Sequence, residues 1–457
     1  MDFGRRDFFA GAAALGATVA FGARKSKVRR GGPSLGLEYD HVVIGGGFAG
    51  VAASLASARA GAKTCLVERT SVLGGLSTQG HVIVFMPLCD GFGRQVTYGI
   101  PEELLRLPMK YSAARPNGFW ENKKGTKAEL ASKRYEIVFD PGPMMLGMER
   151  LLLEAGVEVF YDCDVDGVEM EDGRIAEVRA HCGCDVIRLK ANAFTDATGA
   201  AVVAERCGAV VNAGIKGNIP GGWYYVVNEK RQVSMRTGAG RFFKKNFPLE
   251  ARNYRGDSLI DRSLHMQAVH KAILQDNAEE NRRLKAEGKS PVHIFSIPTY
   301  STMLKLQKLA CGGPQDAVVG IFSDWRKSGP VYPLKFGQLT VPSVSNLLVA
   351  GRCIACAEEM WDVVRCLPAC CASGQAAGTA SALLAKGGSY AGLDSAALRS
   401  KLVASGVKLD DDLLVPDPAW KGGDVKEREE GVFLTEVKKI KKVKIPPCQT
   451  HAGYDIL

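Results

Sequence analysis

The sequence predicts an α/β fold built on a parallel sheet, and three observations predict it. Asp40-His-Val-Val-Ile44 is a short apolar run of strand type. Gly45-x-Gly47-x-x-Gly50 follows at once and opens an alanine-rich segment, Val51 to Ala60, of helical character. Ala62 to Val67 reads as a second strand and ends on Glu68, 23 residues after Gly45. In such a strand-turn-helix unit the first glycine allows the turn, the second admits a pyrophosphate to the backbone, and the third lets helix and strand pack closely. The helix N-terminus faces the phosphates, and an acid at the end of the second strand accepts hydrogen bonds from a ribose. Gly45, Gly47, Gly50 and Glu68 therefore read as a dinucleotide site. A glycine turn that binds nothing is the alternative, and it leaves the agreement of strand, helix, acid and spacing unexplained.

Ahead of this unit, residues 1–30 read as an export leader. Arg5-Arg6 precedes Asp7-Phe8-Phe9, an Ala/Gly-rich apolar run to about Phe21 follows, and Arg24, Lys25, Lys27, Arg29 and Arg30 close it. The paired arginines, the mild apolar run and the small residues Ala20 to Ala23 match a twin-arginine signal, and the run is too short to span a bilayer comfortably. Gly4 and Phe9-Ala10 depart from the usual residues around the arginine pair. A basic leader or a short anchor is the alternative. The signal implies a periplasmic or otherwise extracytoplasmic location, with no integral membrane segment in the mature form.

The rest of the chain divides by composition. Residues 38–210 read as a nucleotide-binding domain, with a loop-rich excursion over 81–131 that contains Gly91, Gly93, Pro101, Pro108 and Pro116. Met144 to Glu154 has helical spacing, Val157 to Phe160 is a strand, and Val165 to Val178 is a meander around the Asp172-Gly173 turn. Ala191 to Ala197 is another strand, running into Thr198-Gly199. Residues 211–335 change character, with Trp223-Tyr-Tyr225 and a charged helix from His265 to Lys289, and read as an inserted α+β substrate or cap domain. Residues 336–390 return to the first domain, and 391–457 form a C-terminal extension.

The composition fits a two-domain globular enzyme, since 457 residues at 46% hydrophobic can bury more than one core. The formal charge of +10 does not point to nucleic acid: the leader carries seven basic residues against two acidic, so +5 remains. Lys438, Lys439, Lys441, Lys442 and Lys444 alternate with apolar residues and read as a solvated face, with an acidic docking partner as the alternative. Thirteen cysteines are present, and buried small hydrophobes are the default reading for them. A dithiol relay at Cys353 and Cys356 is the alternative. A Cys182–Cys184 bridge would be strained, and neither spacing suggests a metal site.

Further blocks carry a resemblance. Arg69-Thr-Ser-Val-Leu-Gly74-Gly75-Leu-Ser77-Thr78 resembles the second glycine pair of the glutathione-reductase-like FAD superfamily, which favours FAD over NAD. Asn346-Leu-Leu-Val-Ala-Gly351-Arg352-Cys353-Ile354 resembles the last strand of that flavin fold. Arg365-Cys-Leu-Pro368 through Gly374-Gln375-Ala-Ala-Gly378 follows at the spacing of bacterial FAD-dependent oxidoreductases. The resemblance implies a glutathione-reductase-like FAD-binding Rossmann domain. It adds Ala49, Arg69, Gly74, Gly75, Ser77, Val165, Thr198, Gly199, Gly351, Arg352, Gly374 and Gln375 to the expected cofactor contacts, Val165 at the adenine. It also implies that the Pro368 helix points its N-terminus at the flavin, where its partial positive charge favours negative charge by on the order of 1 kcal/mol. Export by the twin-arginine route suits a protein that must fold around a cytoplasmic cofactor first.

The departures fall on the substrate side. Relatives often carry arginines near Met303–Leu309, where this chain has Lys305, Gln307 and Lys308, an arginine in Tyr332–Leu339, where it has Lys335, and a histidine where it has Glu358. The resemblance therefore implies oxidation or reduction of a small organic molecule without naming it. Glu358 is the expected proton-moving group, with Asp362 beside it and Arg365 holding an anion, a carbonyl or charge on the flavin. A structural Glu358–Arg365 ion pair is the alternative. His81 is expected next to the flavin as a non-covalent neighbour, with covalent attachment as the alternative. No second Gly-x-Gly-x-x-Gly unit is present, so a quinone or a redox protein is the expected electron partner rather than NAD(P)H. The competing class is a non-redox lyase, hydratase or binding module with structural FAD.

Overall fold

The computed structural model describes residues 35–212, 217–250, 252–300 and 308–421. The expectations for the twin-arginine leader, for Lys305 and Gln307 and for the lysine-rich C-terminal stretch lie outside these residues.

Strand β1 (Leu35–Ile44) runs into helix α1 (Phe48–Arg59), and β2 (Thr64–Val67) follows in parallel, with Ile44 opposite Val67. Helix α2 (Pro141–Glu154) begins with proline in its first turn and leads to β3 (Glu158–Phe160), which pairs in parallel with β2. Strands β4 (Cys163–Glu171), β5 (Arg174–Cys182) and β6 (Asp185–Asp196) form an antiparallel meander. Asp172 and Gly173 make its first turn in the left-handed region, φ 47° and 71°, as a tight hairpin demands. The long β6 is the hub. Its N-terminal half pairs with β5, its other side lies parallel to β1, and its last residues pair in parallel with a late strand, Leu347–Val349. The resulting seven-stranded sheet has the C-terminal ends of its parallel strands, Ile44, Val67, Asp196 and Val349, in register at one edge.

A smaller antiparallel sheet follows, β7 (Gly222–Val227), β8 (Val233–Ala239) and β9 (His293–Ser296), with β7 in the middle. Helix α3 (Leu259–Ala286) covers one face, and Tyr224, Val226, Val269, Ala272 and Ile273 form a separate core there. The sequence placed this helix at His265–Lys289; it begins six residues earlier because Ser258 caps it, accepting the Asp261 N–H at 3.1 Å. Strand alternation turns Tyr225 to the opposite face, where it packs on the main core.

Strands β10 (Val318–Ser323) and β11 (Val331–Lys335) form a hairpin inside the main core, and β12 (Leu347–Val349) completes the large sheet. Helix α4 (Leu367–Leu383) is buried along most of its length against α1. A β-carbon at Gly374 would overlap the Ala49 carbonyl oxygen and one at Gly378 that of Ala53, so the two backbones touch only because both residues are glycine. No helix of the described residues is long and apolar enough to cross a membrane.

One sequence expectation is corrected. Cys163 and Cys182 are not packed thiols: they sit opposite each other on β4 and β5 and form a disulfide with a Cα separation of 4.2 Å. Cys184, the partner weighed for Cys182, is free and exposed.

Candidate functional site

The site grows from the β1–α1 turn. Gly45 has φ 104°, and a β-carbon there would meet the Ala197 carbonyl oxygen at 2.6 Å; one at Gly50 would overlap the Gly45 carbonyl oxygen. Both glycines close the fold. Gly47 differs, because a β-carbon on it would meet no atom within 4 Å. It faces open space at the start of α1, where no side chain caps the first-turn N–H groups. The Gly74–Gly75 turn lies directly against it, with a Gly47–Gly74 bridge and a Gly74 N–H donated to Gly46 O at 2.8 Å.

Glu68 is buried beside this turn. One carboxylate oxygen accepts the Gly46 N–H at 2.6 Å, and the other accepts the Thr70 N–H and hydroxyl at 3.0 and 2.7 Å. Four bonding directions per carboxylate leave room for a ligand hydroxyl. The start of β4 lies alongside, since Cys163 N–H donates to Glu68 O at 3.0 Å, which brings buried Val165 to the same end.

On the other side of the turn, buried Asp196 accepts the Thr198 N–H and hydroxyl and the Val203 and Ala204 N–H groups. Burial pushes its carboxyl pKa up, against these hydrogen bonds. They hold the Thr198–Gly199 turn open toward Arg352, whose Nε a β-carbon at Gly199 would meet at 2.6 Å. Desolvation lowers the Arg352 guanidinium to about 10, and the positive charges of Arg365 and Arg69 act in the same direction. Three guanidinium groups thus share one field, and Gly351, with φ 82°, turns the chain into it.

These observations fit FAD. A diphosphate needs an open glycine, free helix N–H groups and cations, which Gly47, the first turn of α1 and Arg352 with Arg69 supply. A ribose needs an oriented acid, which Glu68 supplies. The model of one family, described as FAD dependent oxidoreductase, matches residues 40–303 and 319–402. The chain belongs to this family of FAD-dependent oxidoreductases. FAD is its cofactor. Among solved structures, a geranylgeranyl bacteriochlorophyll reductase-like protein from Thermoplasma acidophilum is 14% identical over 81% of this chain and 82% of its own, with a TM-score of 0.42. A p-nitrophenol 4-monooxygenase from Pseudomonas putida is 13% identical over 81% and 85%, with a TM-score of 0.45. A 3-ketosteroid dehydrogenase from Rhodococcus jostii is 16% identical over 76% and 97%, with a TM-score of 0.37.

Within this family member the expected contacts separate. Gly45, Gly47, Ala49, Gly50, Glu68, Gly74, Gly75 and Ser77 lie together around the turn, and Thr198, Gly199, Gly351 and Arg352 lie across it. Arg69 is exposed, 4.7 Å over the Tyr300 ring. Gly374 touches α1 at Ala49, and Gln375 turns away: its amide oxygen accepts the Ile100 N–H at 2.9 Å and its NH2 donates to Ser405 at 3.1 Å.

The expected chemical groups occupy one short stretch. Glu358 is half-buried in a 3-10 turn, and Arg365 lies 5.3 Å over the Trp361 ring with its Nε on Asp362 at 3.0 Å. The guanidinium thus goes to Asp362 rather than to the Glu358 pairing weighed from sequence. Cys353 and Cys356 are not disulfide-bonded and are fully buried, and burial pushes the Cys353 thiol far up, which opposes the thiolate a relay needs. Two features escaped the sequence reading. Lys308 is buried with its ammonium on Cys356 O at 2.7 Å, and His81 meets Tyr225 and Ser296 from the smaller sheet. The departure at Lys308 from the relatives' arginines was the available signal for the first; nothing local signals the second.

Proposed function

We propose that this chain is an exported FAD-dependent oxidoreductase that moves a hydride or electrons between a small organic substrate and FAD and passes them to a quinone or a redox protein. The observation that carries the redox half is the Gly47 opening between Glu68 and Arg352, in a chain of this family. FAD supplies the two-electron chemistry when bound. The protein positions the substrate, excludes water and moves the proton, and half-buried Glu358 takes that last role with Arg365 holding substrate oxygen or charge. The large sheet, with its parallel strands and meander, supports a glutathione-reductase-like subtype, and the β7–β9 sheet with α3 supports a substrate cap. Export is supported by Arg5-Arg6 and by the Cys163–Cys182 disulfide, a bond that persists in oxidising compartments. The single dinucleotide unit of the sequence supports an electron partner other than NAD(P)H.

The test is an anaerobic screen of organic substrates that follows flavin absorbance. Reversible bleaching by one substrate, restored by a soluble quinone and not by NAD(P)+, is expected. A flavin that no substrate bleaches while the protein still converts one of them would favour the non-redox class. Export is tested separately: Arg5→Lys with Arg6→Lys should leave the precursor in the cytoplasm.

A further inference from the structure

We propose that the seam formed by His81, Tyr225 and Ser296 binds an uncharged oxygen of the substrate, a carbonyl or a hydroxyl, with the Tyr225 hydroxyl as its donor. The inference rests on the oxidoreductase reading above and names the substrate class of that same site.

The seam joins the two sheets at the flavin turn. His81 lies six residues beyond Gly75 on a chain that folds tightly back, its N–H on Thr78 O and the Val82 N–H on Leu76 O. Its backbone is left-handed, φ 58°, a conformation that a non-glycine residue adopts at a cost and keeps only where its surroundings impose it. The residue is more than nine-tenths buried. Its Nε2 lies 3.3 Å from the Ser296 hydroxyl, and the Tyr225 ring stands edge-on at 4.8 Å and 78°. Nδ1 is buried and has no hydrogen-bond partner among the described residues. A buried polar atom of this kind costs free energy unless something fills its valence.

Tyr225 has the complementary property. Its ring packs half-buried on the main core, yet its hydroxyl makes no hydrogen bond to any described residue, whereas neighbouring Tyr224 spends its own on Asp276. Burial first, and then the Asp140 carboxylate, push the Tyr225 phenol up to about 12, so the hydroxyl keeps its proton at neutral pH and donates. Burial lowers the His81 pKa, which favours the neutral ring.

The charges decide the ligand class. Among the described residues, the one charge resolved as acting on Tyr225 is the Asp140 carboxylate, and no cation is resolved beside His81 or Tyr225. A carboxylate ligand would meet repulsion and no counter-charge. A carbonyl or hydroxyl oxygen would accept from Tyr225 without that penalty, and His81 Nδ1 would pair with a neighbouring ligand atom. Ser296 acts as a positioning residue, holding the His81 ring that stands against Tyr225.

The experiment titrates the FAD-loaded protein with cyclohex-2-en-1-one and, separately, with cyclohexanecarboxylate, and records the infrared carbonyl stretch of the bound ketone. Saturable ketone binding in preference to the carboxylate is expected, with the carbonyl stretch lowered by the hydrogen bond. Tyr225→Phe should weaken the ketone about tenfold and abolish the lowered stretch while FAD content is unchanged, an effect the size of one hydrogen bond. Ser296→Ala should weaken it less and leave the stretch lowered. Equal affinity and an equal stretch in Tyr225→Phe would overturn the proposal, as would preference for the carboxylate or no saturable binding. The carbonyl stretch does not depend on flavin chemistry, so a flavin that no substrate bleaches sinks the oxidoreductase reading without touching this result.

Discussion

The two sides of the site are built by different means. The nucleotide side is made of backbone: Gly45, Gly47, Gly50, Gly74 and the first turn of α1 lie within thirty residues of one another, and Glu68 completes them. The proposed substrate side is made of side chains brought from far apart, His81 against Ser296 across 215 positions of sequence. Backbone geometry leaves a local pattern, because each glycine answers a steric demand that its neighbours create. Side chains meeting across two sheets leave none, because each could equally be a packed or solvated residue.

The sharpest way to break that contrast is within the turn. Gly50→Val should destroy the fold, since the new β-carbon overlaps the Gly45 carbonyl oxygen. Gly47→Val should leave a folded, colourless protein, because space for the side chain exists and only the cofactor is displaced. Circular dichroism with flavin absorbance checks both; a yellow Gly47→Val protein would remove Gly47 from the FAD site.

The next largest effect belongs to the substrate side. Glu358→Gln should keep full flavin content and thermal stability but slow substrate-driven flavin reduction by roughly a hundredfold or more. A loosened fold with an intact rate per bound flavin would make Glu358 structural instead.

This contrast also explains what was legible. The parallel sheet and the Asp172-Gly173 turn follow from short-range rules, and the structure has them in place; the open Gly47 turn beside Glu68 follows from the same rules. The α3 start is marked in the sequence only by the Ser258–Asp261 capping pattern, a weaker signal than the charged run after His265. The disulfide leaves no local signal, because Cys163 and Cys182 meet only once the β4–β5 register is set. Gln375 matched a family block, yet Ile100 and Ser405, distant in sequence, claim its amide.

That disulfide gives the third prediction. It closes a hairpin of sequence separation 19, and Cys163→Ser with Cys182→Ser should cost about 2–4 kcal/mol by denaturant unfolding. Because β4 begins beside Glu68, FAD release on unfolding should shift with it. No change in the midpoint on reduction or mutation would mean that the bond does not form in solution.

The smallest expected effect compares two buried histidines, one on each side. His41 lies in β1 with its Nε2 2.8 Å from the Thr195 hydroxyl, and burial lowers its pKa from 6.5 to about 3. His81, at the seam, is lowered in the same direction. The folded state disfavours protonation of both, so the stability each contributes is fully present above the unfolded pKa near 6.5. It is lost as pH falls towards the folded value, because the unfolded chain takes up the proton first. For His41 the loss grows by about 1.4 kcal/mol for each pH unit below 6.5, down to about pH 3. His41→Leu should remove that slope between pH 6 and 5 at some cost in stability at pH 7, since the Thr195 hydroxyl loses a partner. The measurement is urea unfolding at pH 7, 6 and 5 for parent and variant. His81→Gln should change the slope as well and cost little at pH 7, because the Gln amide can replace the long Nε2–Ser296 contact and Nδ1 has no partner among the described residues. Parallel stability curves for the parent and His41→Leu would show that His41 is not held neutral in the sheet.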